Sequence, residues 1–312
     1  MKRKAVVVVG PTASGKTALG VHICEKFNGE VISADSMQIY KGMSISTAKP
    51  TMAEQRNIPH HLIDFLEITD KYSVSAFCSD AKKVFDDICA INKLPVIVGG
   101  TGLYIDSFLT NTSFLDNASS DEIRSKLNTE LAEKGVEYMY SRLTSIDPEA
   151  ASKIHPNNTV RVLRALEVYL STGVTITEQA KKSHNAESNI EPLFIGITFR
   201  DREKLYERIN KRVDLMIEAG LWDEAELFFQ SHPSVTAFNA IGCKELKPYF
   251  DGIKSIDECI EDLKRSTRRY AKRQLTWFKR NPNINWIYRD ESENFIDYVD
   301  NLVKNFLVGE TT

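Results

Sequence analysis

Apolar positions along this chain follow two periods, and the change between them marks its parts. Residues 5–9 form an unbroken apolar, β-branched run, the pattern of a buried strand. Residues 18–27 read as a helix, residues 30–33 as a second strand and residues 61–64 as a weak third. Across residues 73–92, Phe77, Ala81, Val84, Phe85 and Ile88 recur at helical spacing and share one face. Residues 95–98 are again an apolar strand, closed by Gly99 and Gly100. This alternation predicts a parallel sheet covered by helices.

From residue 111 the texture changes. Residues 111–121 are rich in Ser, Asn and Asp and read as a linker. Residues 121–185 carry helical patterning without a convincing strand. Asp147 and Pro148 start a short helix, and Asn157 or Asn158 caps the next. After a polar stretch at 184–191 a strand returns at 193–198. A helix over 202–219, a long helix over 255–280 and a short strand at 286–288 complete the pattern. The expected organisation is an α/β core built from residues 1–114 and 191–312, interrupted by an all-helical insertion at 115–190.

Composition narrows the class. A chain of 312 residues with 42% hydrophobic and 27% charged content has the make-up of an ordinary globular protein with a sizeable core. No apolar run is long enough to span a membrane. Lys2, Arg3 and Lys4 precede an apolar run, as in a secretion signal, but the run is too short and leads straight into a glycine loop. Cys24, Cys78, Cys89, Cys243 and Cys259 are odd in number, scattered and without a C-x-x-C pair. They predict reduced thiols in the cytoplasm and no zinc site. The net charge of −3 argues against a nucleic-acid partner. Local charge argues the other way: residues 264–280 hold Lys264, Arg265, Arg268, Arg269, Lys272, Arg273, Lys279 and Arg280 and no acid.

The glycine loop carries the strongest chemical signal. Gly10, Pro11, Thr12, Ala13, Ser14, Gly15, Lys16 and Thr17 fit G-x-x-x-x-G-K-[ST] at every defined position, between a strand and a helix. Backbone N–H groups at the helix start, the helix dipole and Lys16 form a cradle for a di- or triphosphate. Thr17 is placed to put its hydroxyl on a Mg²⁺ that bridges the phosphates. The fold expected is therefore that of phosphate-loop nucleoside-triphosphate hydrolases, a parallel sheet with flanking helices plus the helical insertion.

Other candidates fall at the same edge. Asp35 ends the second strand, where ligands of α/β sheets bind, and could hold Mg²⁺ through water or act as a general base. Gly99, Gly100, Thr101 and Gly102 form a second strand-to-helix turn, which on composition alone is as compatible with structure as with a site. Arg208 and Arg212 share a helix face and suit either solvent or a departing phosphate. On the long helix, Lys264, Arg268 and Lys272 form one row and Arg265, Arg269 and Arg273 the next, opposite an apolar stripe of Ile256, Ile260, Leu263, Thr267, Tyr270, Gln274 and Phe278. Arg161 and Arg164 could add a second basic wall. No late strand supplies a clear Walker-B aspartate, which disfavours a motor or switch NTPase.

Taken in order, these segments resemble bacterial tRNA dimethylallyltransferases (isopentenyl-tRNA transferases) over nearly the full length. The resemblance rests on residues 10–17, 35–40, 47–50, 59–64, 99–104, 155–157, 164–169, 240–242 and 270–278. It implies transfer of the dimethylallyl group from dimethylallyl diphosphate to N6 of the adenine immediately 3′ of the anticodon, in tRNAs reading codons that begin with U. It implies that the loop holds diphosphate with Mg²⁺, that Asp35 is the general base with Thr101 as its hydrogen-bonding partner, and that Arg212 binds diphosphate. It places tRNA contacts at Asp35, Ser36, Met37 and Gln38, at Thr101, at Thr159, Val160, Arg161, Val162 and Leu163, and at Ala240, Ile241, Gly242, Cys243, Lys244 and Glu245. Arg265, Arg268, Arg269, Lys272 and Arg273 join them from the basic rows. Ser46, Asn158 and Cys243 depart from the family's usual Gly, Asp and aromatic residue. No zinc-finger cysteine spacing of the eukaryotic kind follows, so a bacterial-type enzyme is expected; the expected working unit is a monomer. A phosphate-loop kinase and a transferase acting on free adenine nucleotides remain the alternative readings.

Overall fold

The structure is a computed structural model that describes residues 2–112, 121–183, 188–291 and 294–309. Its elements run β1 (Arg3–Val9), α1 (Lys16–Phe27), β2 (Gly29–Ala34), α2 (Met52–Gln55), β3 (His60–His61), α3 (Val74–Ala90), β4 (Leu94–Gly99) and α4 (Gly102–Leu109). Four helices follow: α5 (Asp121–Ile146), α6 (Pro148–Lys153), α7 (Thr159–Thr172) and α8 (Ile176–Ser183). The chain then returns through β5 (Ile190–Thr198), α9 (Arg202–Glu218), α10 (Leu221–Gln230), α11 (Val235–Phe238), α12 (Lys247–Phe250), α13 (Ile256–Phe278), β6 (Asn285–Tyr288) and α14 (Phe295–Val308).

The strands form one six-stranded sheet in the order β3-β2-β4-β1-β5-β6, and every pairing is parallel. Alternate side chains of β1 feed opposite faces, as the strand period requires. Ala5, Val7 and Val9 join Phe77, Ala81, Phe85 and Ile88 of α3 and Tyr104, Ile105 and Phe108 of α4. Val6 and Val8 join Leu19 and Ile23 of α1 and Val299, Leu302 and Val303 of α14. Burial on both faces explains the unbroken apolar run of β1, each buried valine contributing about 1.5–3 kcal/mol. This is the phosphate-loop type of α/β fold.

The chain divides into two compact units, residues 1–109 with 189–312 and residues 110–188. The second is all helical in its described residues, as expected, with boundaries a few residues earlier than the sequence pattern suggests. Its core gathers Leu127, Met139, Leu143, Ala151, Val162, Ala165 and Leu166. Asn158 is the cap of α7, accepting from the Arg161 N–H at 3.4 Å. Buried Glu167 pairs with both Arg124 and Arg164, so Arg164 braces this core. The polar linker expected at 111–121 lies largely outside the described residues. The third strand differs from the expected 61–64: only His60 and His61 pair with β2, because Leu62 and Asp64 adopt left-handed φ of 58° and 57°, which a strand cannot continue.

Candidate active site

Strand register builds the site. Gly99 is level with Val9 on one side and with Ala34 on the other. The residues just past those positions, Gly10, Asp35 and Gly100, therefore emerge together at the carboxyl edge of β1, β2 and β4. The Gly10 backbone lies so close to β5 that an added Cβ would stand 2.2 Å from the Ile197 carbonyl oxygen, and its φ of 149° excludes a side chain on a second ground. From there the loop closes through Ala13 and Gly15, with left-handed φ of 63° and 98°, and delivers Lys16 to the first turn of α1.

A cleft of about 260 Å³ opens above this edge. Thr12, Lys16 and Thr17 form its floor, Asp35–Gln38 one side, and Arg212, Lys244 and Arg273 bring positive charge to it. Ile209, Val213, Met216, Ile241 and Leu263 line its apolar part. One chain thus places a phosphate loop, a carboxylate, several cations and an apolar wall around a single volume.

Asp35 is oriented by its own turn. Its Oδ1 accepts the Met37 N–H at 2.9 Å and the Gln38 N–H at 3.4 Å, while Oδ2 has no partner among the described residues. Thr101 does not bond Asp35. Its hydroxyl accepts the Ser36 N–H at 3.1 Å and donates to Ser36 Oγ at 3.3 Å, because the turn sets it over the start of the 36–40 segment. Tyr270 lines the cleft beside them, and burial raises its pKa above the ordinary tyrosine value.

Lys16 Nζ folds back onto the Pro11 carbonyl at 2.7 Å. Loss of water and then the nearby Arg212 guanidinium lower its pKa to about 7, opposed by Asp35. Arg212 donates to Thr12 Oγ1 at 3.2 Å and to the Ala48 carbonyl at 3.5 Å, and its burial lowers its pKa as well. Arg208 instead donates to the Ala13 carbonyl at 3.1 Å on the exposed side of the loop, so the two helix neighbours take different places. The Thr17 hydroxyl has no partner among the described residues. With Asp35 Oδ2 it offers two hard oxygen donors, a set that suits Mg²⁺ completed by phosphate oxygens and water.

The sequence motifs converge here unevenly. In the 240–245 segment Ile241 and Lys244 line the cleft, but Gly242, Cys243 and Glu245 are buried and shape the backbone behind it. Val162 is likewise a core residue of the helical unit and presents no surface, whereas Val160 and Arg161 are exposed. The basic rows of α13 are also less uniform than their spacing suggests. Lys264 pairs with Asp214 and Glu261, Arg265 with Asp262, and Arg268 donates to Asn210 at 2.7 Å, whereas Arg269, Lys272 and Arg273 are exposed. Opposite them Cys259, Leu263, Ala271, Gln274 and Phe278 are buried, and Ile256, at the helix start, is exposed.

Two residues to which sequence reasoning assigns no chemical role organise the cleft. The Glu224 carboxylate accepts the N–H groups of Ser44, Ile45 and Ser46 at 2.7–2.8 Å and so anchors the loop that carries Thr47 and Ala48. Gln274 accepts from the Thr12 N–H at 2.9 Å and donates to the Gly100 carbonyl at 3.1 Å. Neither partnership has a sequence spacing that would announce it.

A family profile described as IPP transferase matches residues 38–281, and one described as isopentenyl transferase matches residues 3–70. A tRNA dimethylallyltransferase of Acetivibrio thermocellus is 48% identical over 302 residues, covering 96% of this chain and 95% of its own length. The chain belongs to the tRNA dimethylallyltransferase family. Among solved structures of the family, a tRNA delta(2)-isopentenylpyrophosphate transferase from Staphylococcus epidermidis has 42% identity and a TM-score of 0.71, with 97% of this chain and 99% of that one covered. A eukaryotic dimethylallyltransferase described as acting on tRNA has 29% identity and a TM-score of 0.83, with 99% and 80% covered. Against the usual pattern of tRNA dimethylallyltransferases, Ser46 packs on Gly242, whose added Cβ would stand 2.8 Å from the Ser46 Cβ, and Cys243 is wholly buried beside it. Burial pushes the Cys243 thiol up to about 12, so it serves as a small core residue.

Proposed function

We propose that this member of the family transfers the dimethylallyl group of dimethylallyl diphosphate to N6 of the adenine immediately 3′ of the anticodon, in tRNAs reading codons that begin with U. The observation that carries the reading is the single cleft in which a phosphate loop, an unpartnered Asp35 oxygen and an apolar wall face one another. The loop amides, Lys16 and Arg212 take the diphosphate, and Ile209, Val213, Met216 and Leu263 take the allyl tail. Thr17 would hold Mg²⁺, with Asp35 reaching it only through water, and the ion would add positive charge against the departing diphosphate. In the transfer the N6–carbon bond forms, the bond from that carbon to the diphosphate oxygen breaks, and the amine proton passes to Asp35 Oδ2. An exocyclic adenine amine is a weak nucleophile, so proton removal during attack lowers the barrier. Cations around the loop neutralise charge that grows on the leaving group. The adenine must leave the anticodon stack to enter the cleft, with Arg269, Lys272 and Arg273 holding backbone phosphates nearby.

The test is label transfer from radiolabelled dimethylallyl diphosphate with Mg²⁺, to an unmodified anticodon stem-loop and in parallel to AMP. Label in the RNA alone is the expected result. Label in AMP alone would assign the cleft to free nucleotides. Label in neither would return the loop to ATP.

A further inference from the structure

One side chain joins the two strand-to-helix turns of the cleft, and it comes from neither. Gln274 of α13 is 5% exposed. Its Oε1 accepts the Thr12 N–H at 2.9 Å and its Nε2 donates to the Gly100 carbonyl at 3.1 Å. A backbone donor at one end and a backbone acceptor at the other admit only one orientation of the amide. Tyr270, one turn earlier on the same helix face, lines the same cleft. Gly100 is shaped to this contact: a Cβ there would stand 2.0 Å from Gln274 Nε2. The basic helix, the diphosphate loop and the turn that carries Thr101 thus meet at one amide.

We propose that Gln274 is a positioning residue of the transfer step. It keeps the phosphate loop and the Gly100–Thr101 turn in mutual register from a helix whose exposed face is basic. This rests on the transferase reading given above. Small misplacement between leaving group and acceptor costs rate steeply, so the loss falls on kcat rather than on RNA affinity.

Label-transfer kinetics with the anticodon stem-loop test it on Gln274→Met, Thr101→Ala and the double variant, together with stem-loop binding. Gln274→Met conserves volume and removes both bonds. The expected result is a kcat loss of about tenfold or more with RNA affinity within about twofold, and a double variant that loses clearly less than the product of the single losses. A residue that merely packs would give unchanged kcat, or losses that multiply, and either result overturns the proposal. If Gln274→Met does not fold, Gly100→Ala makes the same test by displacing the amide, with the same two outcomes. Wild-type protein that transfers no label to RNA refutes the underlying function. An active wild type with a variant of unchanged kcat refutes this role alone.

Discussion

Replacing Glu224 by Ala removes the anchor of a cleft-lining loop without touching any group placed on substrate. Three backbone N–H groups, those of Ser44, Ile45 and Ser46, converge on this carboxylate at 2.7–2.8 Å. A hydrogen bond to a charged group is worth about 1.5–3 kcal/mol, and solvent beside this half-exposed side chain reduces that to about 1 kcal/mol each. The expected loss is therefore about 2–3 kcal/mol. For a unit of this size it lowers the unfolding midpoint by about 4–12 °C. The loop has further duties: its Thr47 and Ala48 carbonyls accept from Gln38 Nε2, both at 3.2 Å, and Ala48 also receives Arg212. Freed of Glu224, it holds Arg212 less firmly, and KM for the allyl diphosphate rises. Thermal unfolding followed by circular dichroism, with steady-state transfer assays below the midpoint, measures both effects. A midpoint within about 1 °C of wild type, with KM unchanged, would refute the reasoning.

Asp35→Asn should reduce the transfer rate by about a hundredfold or more while calorimetric diphosphate binding stays near wild type; unchanged turnover would end the base assignment. Arg269→Ala with Lys272→Ala should weaken stem-loop binding and lower the log–log salt slope by about 1.4–1.8, and a change confined to the allyl diphosphate would show that this face does not meet RNA. Asp300 is buried, which pushes its pKa up, but Lys26 at 2.5 Å and His22 at 2.8 Å together hold it below the ordinary 3.8. Its stabilisation is thus full above that value and is lost as pH falls from there through the lowered native pKa. Asp300→Asn should lower wild-type stability at neutral pH and narrow the gap at pH 3, which denaturant titrations at both values would show.

Sequence spacing reveals what repeats or what must be one residue type, and β1, β4, the phosphate loop and α13 all qualify. Asp35 was legible because a parallel sheet sends successive strand ends to one edge. Partnerships made across the fold are silent. Nothing about Lys264 or Arg268 alone reveals Asp214 and Asn210 on α9, so α13 looked more uniformly basic than it is. Gln274 reads as a member of an apolar stripe and of the 270–278 segment but with no role of its own, because its partners are backbone groups 262 and 174 residues away. Thr101 turned to Ser36 and not to Asp35 for a similar reason: hydroxyl direction follows from turn geometry that residue type does not encode.

Strand order has a bearing on how the chain is assembled during synthesis. β1 lies between β4 and β5, and the whole helical unit is encoded between those two neighbours. A growing chain can pair β1, β2 and β4 early, yet the phosphate loop leans on β5 where Gly10 passes the Ile197 carbonyl. Until the ribosome has delivered the helical unit and then β5, that loop lacks the wall that shapes it. The helical unit, whose described core is drawn from its own residues, needs no such wait. Phosphate-binding competence is therefore among the last properties a nascent chain acquires, although its motif is among the first residues made.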